Sequence, residues 1–158
     1  MIPKGALIGL GSGIIAAVIS GIFLSSIANQ APTLVYVDGP SLSIITEKTN
    51  FKIGEGIIIK IVNSGTAPLT FSDSSYGLRI IGLDGSILYS PQSAQIISIL
   101  QPKEEKMFVW GQTKSDGDKV IDGRYKIVSN TIPSGENILK KSLIINILKW
   151  SQTIKNQK

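Results

Sequence analysis

Side chains that could support acid–base catalysis or metal binding are few in this 158-residue chain, which contains no His and no Cys. Without His there is no imidazole for general acid–base catalysis, for a Ser triad or for the commonest metal ligation. Without Cys there is no thiolate nucleophile, no disulfide and no thiolate-bound zinc. We therefore expect no cofactor, and the remaining chemistry would depend on carboxylates, hydroxyls and lysines.

The densest acidic group is Asp116-Gly117-Asp118, with Asp122 shortly after it. Oxygen-rich loops of this kind can bind Ca²⁺, but Val120 stands at the fifth position and no Glu closes the loop, so the EF-hand spacing is not met. Asp-Gly is also a preferred hairpin turn. We interpret the segment as a turn, and we expect no metal site.

Two further carboxylates, Glu104 and Glu105, are adjacent and flanked by Lys103 and Lys106. Neighbouring residues of a strand point to opposite faces, so this pair would not converge on one substrate. A charged strand edge that discourages edge-to-edge aggregation is the better interpretation. The sequence also contains neither a Gly-x-Ser-x-Gly nor a Ser-x-x-Lys motif. We expect no catalytic residues and no enzyme activity.

The chain carries 16 Lys and Arg against 11 Asp and Glu, a formal net charge of +5. Arg79 and Arg124 are the two arginines, which is few for a protein that binds nucleic acid, so we expect no nucleic-acid partner. Basic residues are frequent near the C-terminus, where an anionic lipid or an acidic neighbouring protein could be contacted. The candidate contact residues there are Lys149, Trp150, Lys155 and Lys158.

An apolar stretch lies near the N-terminus, and no charged residue occurs between Lys4 and Asp38. As a helix, residues 6–28 would span about 35 Å, enough to cross a hydrocarbon core of about 30 Å. A cleaved secretory signal is the alternative, because Ser26-Ile27-Ala28 fits a small-x-small cleavage site. The stretch is longer than the apolar core of such a signal. We therefore expect a transmembrane anchor at residues 1–30.

The charges around this stretch predict its orientation. Lys4 and the α-amine precede it, whereas no Lys or Arg follows it before Lys48. By the positive-inside rule, the N-terminus would be cytoplasmic and the C-terminal domain would lie outside the cell. A different possibility is raised by Lys4-Gly5-Ala6, which resembles the processing site of archaeal type IV pilins, although the acidic residue that such pilins often carry is missing.

Small residues recur every fourth position in the apolar stretch. Small-x-x-x-small seams let membrane helices approach closely, so we expect this row to pack against other membrane-protein subunits. The predicted helix-packing face consists of Gly5, Gly9, Gly13, Ala17, Gly21 and Ser25.

Beyond residue 31 the sequence changes to short alternating apolar and polar runs separated by turn residues. Strands at intervals of about 8–12 residues are typical of an all-β sandwich or barrel. The predicted strands are Leu42–Lys48, Gly56–Asn63, Tyr76–Leu83, Ser86–Tyr89, Gln95–Leu100, Glu105–Trp110, Arg124–Asn130 and Ile138–Leu148. We divide the chain into the anchor at 1–30, a linker or first strand at 31–41, the β-domain at 42–150 and a basic tail at 151–158.

The order of turns and strands in this domain resembles the immunoglobulin-like domain named after an intracellular proteinase inhibitor of Bacillus (the BsuPI type), over about residues 42–148. The segments that carry the resemblance are Asn63-Ser64-Gly65 with the apolar residues after it, Tyr76–Ile80, Asp84-Gly85, Leu100-Gln101-Pro102, Trp110 and Asp122–Ile127. The resemblance implies an immunoglobulin-like β-sandwich of about seven to eight strands. Gly123-x-Tyr125 also resembles a tyrosine corner, in which the phenol bonds to the backbone.

Together these features predict a non-catalytic, single-pass membrane protein, typical of the archaeal cell envelope, whose immunoglobulin-like domain acts as an accessory subunit of a membrane or envelope complex. Two alternatives remain open. The BsuPI resemblance implies a proteinase inhibitor. The plan of one N-terminal span followed by an immunoglobulin-like domain is also similar to archaellum stator proteins, which would imply binding to a surface-layer or other envelope protein.

Overall fold

The computed structural model describes residues 33–133 and 138–149. Within these residues the chain is all-β and contains no helix. Its ten strands are β1 (Leu42–Thr46), β2 (Asn50–Lys52), β3 (Ile57–Asn63), β4 (Leu69–Phe71), β5 (Arg79–Gly82), β6 (Ile87–Tyr89), β7 (Ser98–Leu100), β8 (Glu105–Trp110), β9 (Gly123–Asn130) and β10 (Lys140–Leu148).

Each of the eight predicted strands contains or overlaps one of these ten. The two additional strands, β2 and β4, have three residues each, and they raise the count above the seven or eight expected. The segment predicted as a linker or first strand contains no strand in its described part, residues 33–41, so β1 is the first strand.

The strands form three sheets. The three-stranded sheet has the order β1-β3-β8 and is antiparallel throughout. The five-stranded sheet has the order β2-β10-β9-β5-β6, in which β2 pairs in parallel with β10 and the other pairs are antiparallel. A third sheet consists of β4 and β7 alone. The short segment between β1 and β2 therefore carries the chain from one large sheet to the other.

Alternation along the strands decides which side chains enter the core. In β3, Ile57, Ile59 and Ile61, which are spaced two residues apart, are fully buried. In β9, Tyr125 and Ile127 are buried in the same way. These residues therefore define the inward sides of both strands.

Two residues on the opposite sides of these strands are also buried. Val62 is only 1% exposed and Val128 only 4%, although alternation directs both away from the core. Val128 lies directly across from Arg79 of β5, whose long aliphatic stem can cover it.

Buried side chains of all three sheets belong to one hydrophobic cluster, an arrangement consistent with a β-sandwich. The largest fully buried side chains include Trp110 of β8 and Phe71 of β4. Because β4 and β7 each contribute residues to this cluster, the two-stranded sheet is part of the same core.

Candidate interaction surfaces

The acidic segment at residues 116–118 forms a turn, as predicted. The backbone N–H of Asp118 donates to Asp116 Oδ1 at 3.0 Å, and Gly117 adopts a φ of 96°. The N–H of Lys114 donates to the carbonyl of Asp118 at 2.8 Å, which closes the loop. Among residues 33–133 and 138–149, no group of three or more acidic residues is placed to hold a metal ion.

The adjacent carboxylates at residues 104 and 105 bind different lysines. Glu104 pairs with Lys106 at 2.8 Å, and Glu105 pairs with Lys60 of β3 at 2.9 Å. The hydrogen bond from Lys106, assisted by the backbone N–H of Gln101, holds the pKa of Glu104 below its usual value. Strand β8 is an edge strand of the three-stranded sheet, so the predicted charged edge is confirmed.

Four aromatic residues belong to the core or pack against it, namely Tyr76, Phe108, Trp110 and Tyr125. Trp110 is buried and its indole N–H donates to the carbonyl of Thr113 at 2.8 Å. The ring of Tyr125 meets that of Trp110 edge to face, with centroids 6.1 Å apart. Tyr76 and Phe108 are partly buried against the same cluster.

Tyr125 also forms the predicted tyrosine corner. Its hydroxyl donates to the carbonyl of Ile121, four residues earlier, at 2.8 Å. Burial raises the pKa of Tyr125, and the nearby charge of Asp122 contributes in the same direction. The phenol therefore has a structural role at the entry to β9.

A buried amide that the sequence did not indicate fixes the loops at one end of the three-stranded sheet. Gln112, just after β8, accepts from the N–H of Gly54 at 2.9 Å and donates to the carbonyls of Lys52 and Glu55. It lies outside every predicted strand, so no alternating pattern could have marked it as buried.

A second buried amide fixes loops at the other end of this sheet. Asn63, the last residue of β3, donates to the carbonyls of Ala67 and Leu100 at 2.9 Å. It continues the inward series of the three buried Ile of β3, and this alternation is the signal by which its burial could have been found.

The outer face of the three-stranded sheet exposes apolar side chains. Met107 is 56% exposed and Val109 is 65% exposed, and both lie on the side of β8 opposite the buried Trp110. The register places Ile58 of β3 beside Val109, whereas Lys60 of β3 lies between Met107 and Ile45 of β1.

A depression lies at this face. Its lining is half apolar, from Leu34, Ile45, Ile58 and Met107, and half polar or charged, from Thr46, Glu47, Lys60 and Glu105. We give the name apolar face to the surface formed by Ile45, Ile58, Met107 and Val109.

The outer face of the five-stranded sheet has a different chemistry. Its five strands contain six Lys or Arg residues and no Asp or Glu. Alternation and register place five of the six on the side opposite the core. We name this surface the cationic face, and it comprises Lys52, Arg79, Arg124, Lys126 and Lys140.

Most cations of this face are not neutralised by a carboxylate. Within the part of the chain that the structure describes, Arg79, Arg124, Lys126 and Lys140 form no salt bridge. The guanidinium of Arg124 instead donates to Asn146 Oδ1 at 3.4 Å.

Of the predicted contact residues near the C-terminus, Lys149 is described and pairs with Asp122 at 3.2 Å. Trp150, Lys155 and Lys158 lie outside the described residues. The predicted helix-packing face also lies outside them, namely Gly5, Gly9, Gly13, Ala17, Gly21 and Ser25. Both predictions therefore stay predictions.

No model of a known protein family matches the chain, and a search of curated proteins gave no match. In residues 33–133 and 138–149 there is no helix that is long and apolar enough to span a membrane.

Proposed function

We propose that the chain is a non-catalytic, single-pass membrane protein whose immunoglobulin-like domain lies outside the cell, as an interaction subunit of a membrane or cell-envelope complex. Residues 1–30 would be the anchor, with the N-terminus in the cytoplasm. The observation that carries the proposal is the charge difference between the two outer faces of the β-domain: Lys60 of the three-stranded sheet is paired with Glu105, whereas four cations of the five-stranded sheet form no salt bridge among the described residues.

The strand order supports the immunoglobulin-like part of the proposal. In immunoglobulin domains one sheet contains strands A, B and E and the other contains G, F and C, with further strands added beside C in the variable type. The order β1-β3-β8 fits A, B and E, and β10-β9-β5-β6 fits G, F, C and an added strand. The tyrosine corner at Tyr125 stands at the start of the strand that corresponds to F.

The apolar face supports a role in protein association. Contiguous exposed apolar side chains on a folded domain often mark a site of protein–protein contact. Here Met107 and Val109 are exposed beside the half-buried Ile45 and Ile58. A domain with two chemically different outer faces is suited to contacting two neighbours, which is the expected task of an accessory subunit.

Labelling of single cysteines would test the membrane topology, because the natural chain has no Cys that would react. In Gln92→Cys the thiol would lie on an exposed loop of the β-domain, whereas in Ile2→Cys it would lie before the apolar stretch. We expect a membrane-impermeant maleimide to label Gln92→Cys in intact cells and Ile2→Cys only after lysis. Labelling in the reverse pattern, or equal labelling of both, would refute the proposed orientation.

Association through the anchor has its own test. Replacing Gly9 and Gly13 with Leu places bulky side chains in the row of small residues and should prevent close helix packing. We expect the double variant to insert into membranes but to lose proteins that co-purify with the natural chain in mild detergent. Gly11→Leu and Ile15→Leu, off the row, provide the matched control. Unchanged co-purification of the Gly9/Gly13 variant would show that the row does not hold the complex.

A further inference from the structure

We propose that the cationic face binds an acidic surface of another protein. This inference deepens the proposed function and rests on it, since it assigns a partner class to one face of the interaction domain. Three properties of the five-stranded sheet support this proposal. They are the separation of charge between the two large sheets, the spacing of the cations, and the kind of side chain that lies between the cations.

Charge separation between the two large sheets is the first property. In the three-stranded sheet, Lys60 and Lys106 each have a carboxylate partner within 3 Å. In the five-stranded sheet, the strands supply Lys and Arg but no acidic residue. Arg79, Arg124, Lys126 and Lys140 therefore lie on one face without a salt bridge among the described residues.

Spacing is the second property. Arg124 and Lys126 are two residues apart on β9, which corresponds to about 7 Å along a strand. Arg79 of β5 lies directly across from Val128, the next outward position of β9. The three cations therefore lie within about 15 Å of one another. Arg124 and Lys126 lie within the Debye length of about 8 Å at physiological salt, so their repulsion is only partly screened and a carboxylate placed between them would be attracted.

The third property is the set of side chains between the cations. Lys126 lies between Ile81 of β5 and Ile144 of β10, and Asn146 lies beside Arg124. Aliphatic and amide groups next to guanidinium groups suit a protein surface, on which carboxylates can accept paired hydrogen bonds from Arg. None of the outward-facing residues of these five strands is aromatic, whereas surfaces that bind at a membrane interface are enriched in Trp and Tyr. The face therefore fits an acidic protein better than a lipid surface.

The test measures binding of fluorescein-labelled poly-L-glutamate to the full chain in nanodiscs of neutral phosphatidylcholine, by fluorescence anisotropy. The test variant is Arg79→Glu with Lys126→Glu. The matched control is Lys103→Glu with Lys119→Glu, which changes the net charge equally at exposed residues outside the five strands. We expect the test variant to weaken binding by about tenfold or more and the control by less than about twofold. Equal weakening would show that net charge, not this face, is responsible and would overturn the inference.

Folding of the variants is checked by circular dichroism, and Arg79→Gln with Lys126→Gln replaces the reversal if it does not fold. Phosphatidylglycerol vesicles serve as a competitor at a charge concentration equal to that of unlabelled poly-L-glutamate. Stronger displacement by the vesicles would overturn the choice of a protein partner in favour of a lipid surface. The cysteine-labelling result is independent of this assay. If Gln92→Cys is labelled in intact cells while the test and control variants bind equally, this inference fails and the proposed function stands.

Discussion

The hydroxyl of Tyr125 donates a hydrogen bond to the backbone carbonyl of Ile121, 2.8 Å away and four residues earlier in the chain. The bond fixes the path by which the chain enters β9, a strand in the middle of the five-stranded sheet. The same ring contacts Trp110 in the core. One side chain therefore connects the start of a central strand to the other large sheet.

Tyr125→Phe should destabilise the β-domain by about 1–2 kcal/mol, because the carbonyl of Ile121 loses its donor while the ring is retained. Urea denaturation of the full chain, followed by tryptophan fluorescence, would measure the change. Tyr36→Phe removes a hydroxyl from an exposed residue and provides the control. An equal effect of both substitutions would mean that the corner contributes nothing to stability.

The raised pKa of Tyr125 predicts a loss of stability in alkali. Burial raises the pKa of the folded-state phenol above its unfolded value of about 10. The group therefore contributes its stability fully below about pH 10, and this contribution is lost as pH rises through the folded-state pKa. We expect the urea midpoint of the natural chain to fall more steeply with pH above about pH 10 than that of Tyr125→Phe. Parallel slopes would contradict the prediction.

The carboxylate of Asp73 predicts a loss of stability in acid. Burial alone would raise the pKa of Asp73, but hydrogen bonds from Ser75 and Ser72 outweigh it and lower the net pKa. A lowered folded-state pKa gives stability that is present above the unfolded value of about 3.9 and is lost as pH falls through the folded-state pKa. Asp73→Asn should therefore have a lower urea midpoint than the natural chain at neutral pH. The two midpoints should converge in acid, where the natural chain loses this contribution. A difference in urea midpoint that is independent of pH would exclude this contribution.

Gly65 lies where the loop after β3 passes against the segment before β1. A Cβ at this position would stand 2.1 Å from the carbonyl oxygen of Gly39 and 2.6 Å from the backbone nitrogen of Ser41. Since both are backbone atoms, Gly65→Ala should cost about 2–3 kcal/mol. Gly111→Ala is the control, because a Cβ there would meet nothing within 4 Å. Similar melting temperatures for the two variants would contradict the close approach.

Buried Gln112 should be among the least replaceable polar residues of the domain. Its amide serves three backbone groups around the turn between β2 and β3. Gln112→Ala would leave these groups without their partner and should cost about 2–4 kcal/mol of unfolding free energy. Gln95→Ala, at an exposed loop residue, should have little effect. If both variants unfold at the same urea concentration, water satisfies the three backbone groups as well as the amide does, and the prediction is wrong.

Regular alternation made most of the fold predictable from sequence. Strands such as β3, with three buried Ile at every second position, have a pattern that needs no tertiary information. The strand predicted at residues 76–83 begins later, at Arg79, because Tyr76 and Gly77 have positive φ values and form a turn. Strand β2 was missed because it has one buried residue, Phe51, and its pairing partner lies almost a hundred residues away.

The cationic face was predictable from the sequence only in part. The sequence showed an excess of Lys near the C-terminus, and the possible contacts were assigned there. The structure instead brings Lys52, Arg79 and Lys126 to one face from three distant parts of the chain. Their common side depends on strand order and register, which local sequence patterns do not encode. The burial of Gln112 was missed for a related reason, because its partners lie more than fifty residues away in the chain.

The parallel pairing of β2 with β10 has a mechanical consequence. Tension that reaches β2 from its amino-terminal side and β10 from its carboxyl-terminal side would slide the two strands lengthwise past each other. The backbone bonds from Asn146 to Thr49 and from Ile53 to Leu148 would then share the force and resist it together. An antiparallel pair pulled apart from one end would instead unzip bond by bond. This geometry is suited to a domain that is held at one end and pulled at the other.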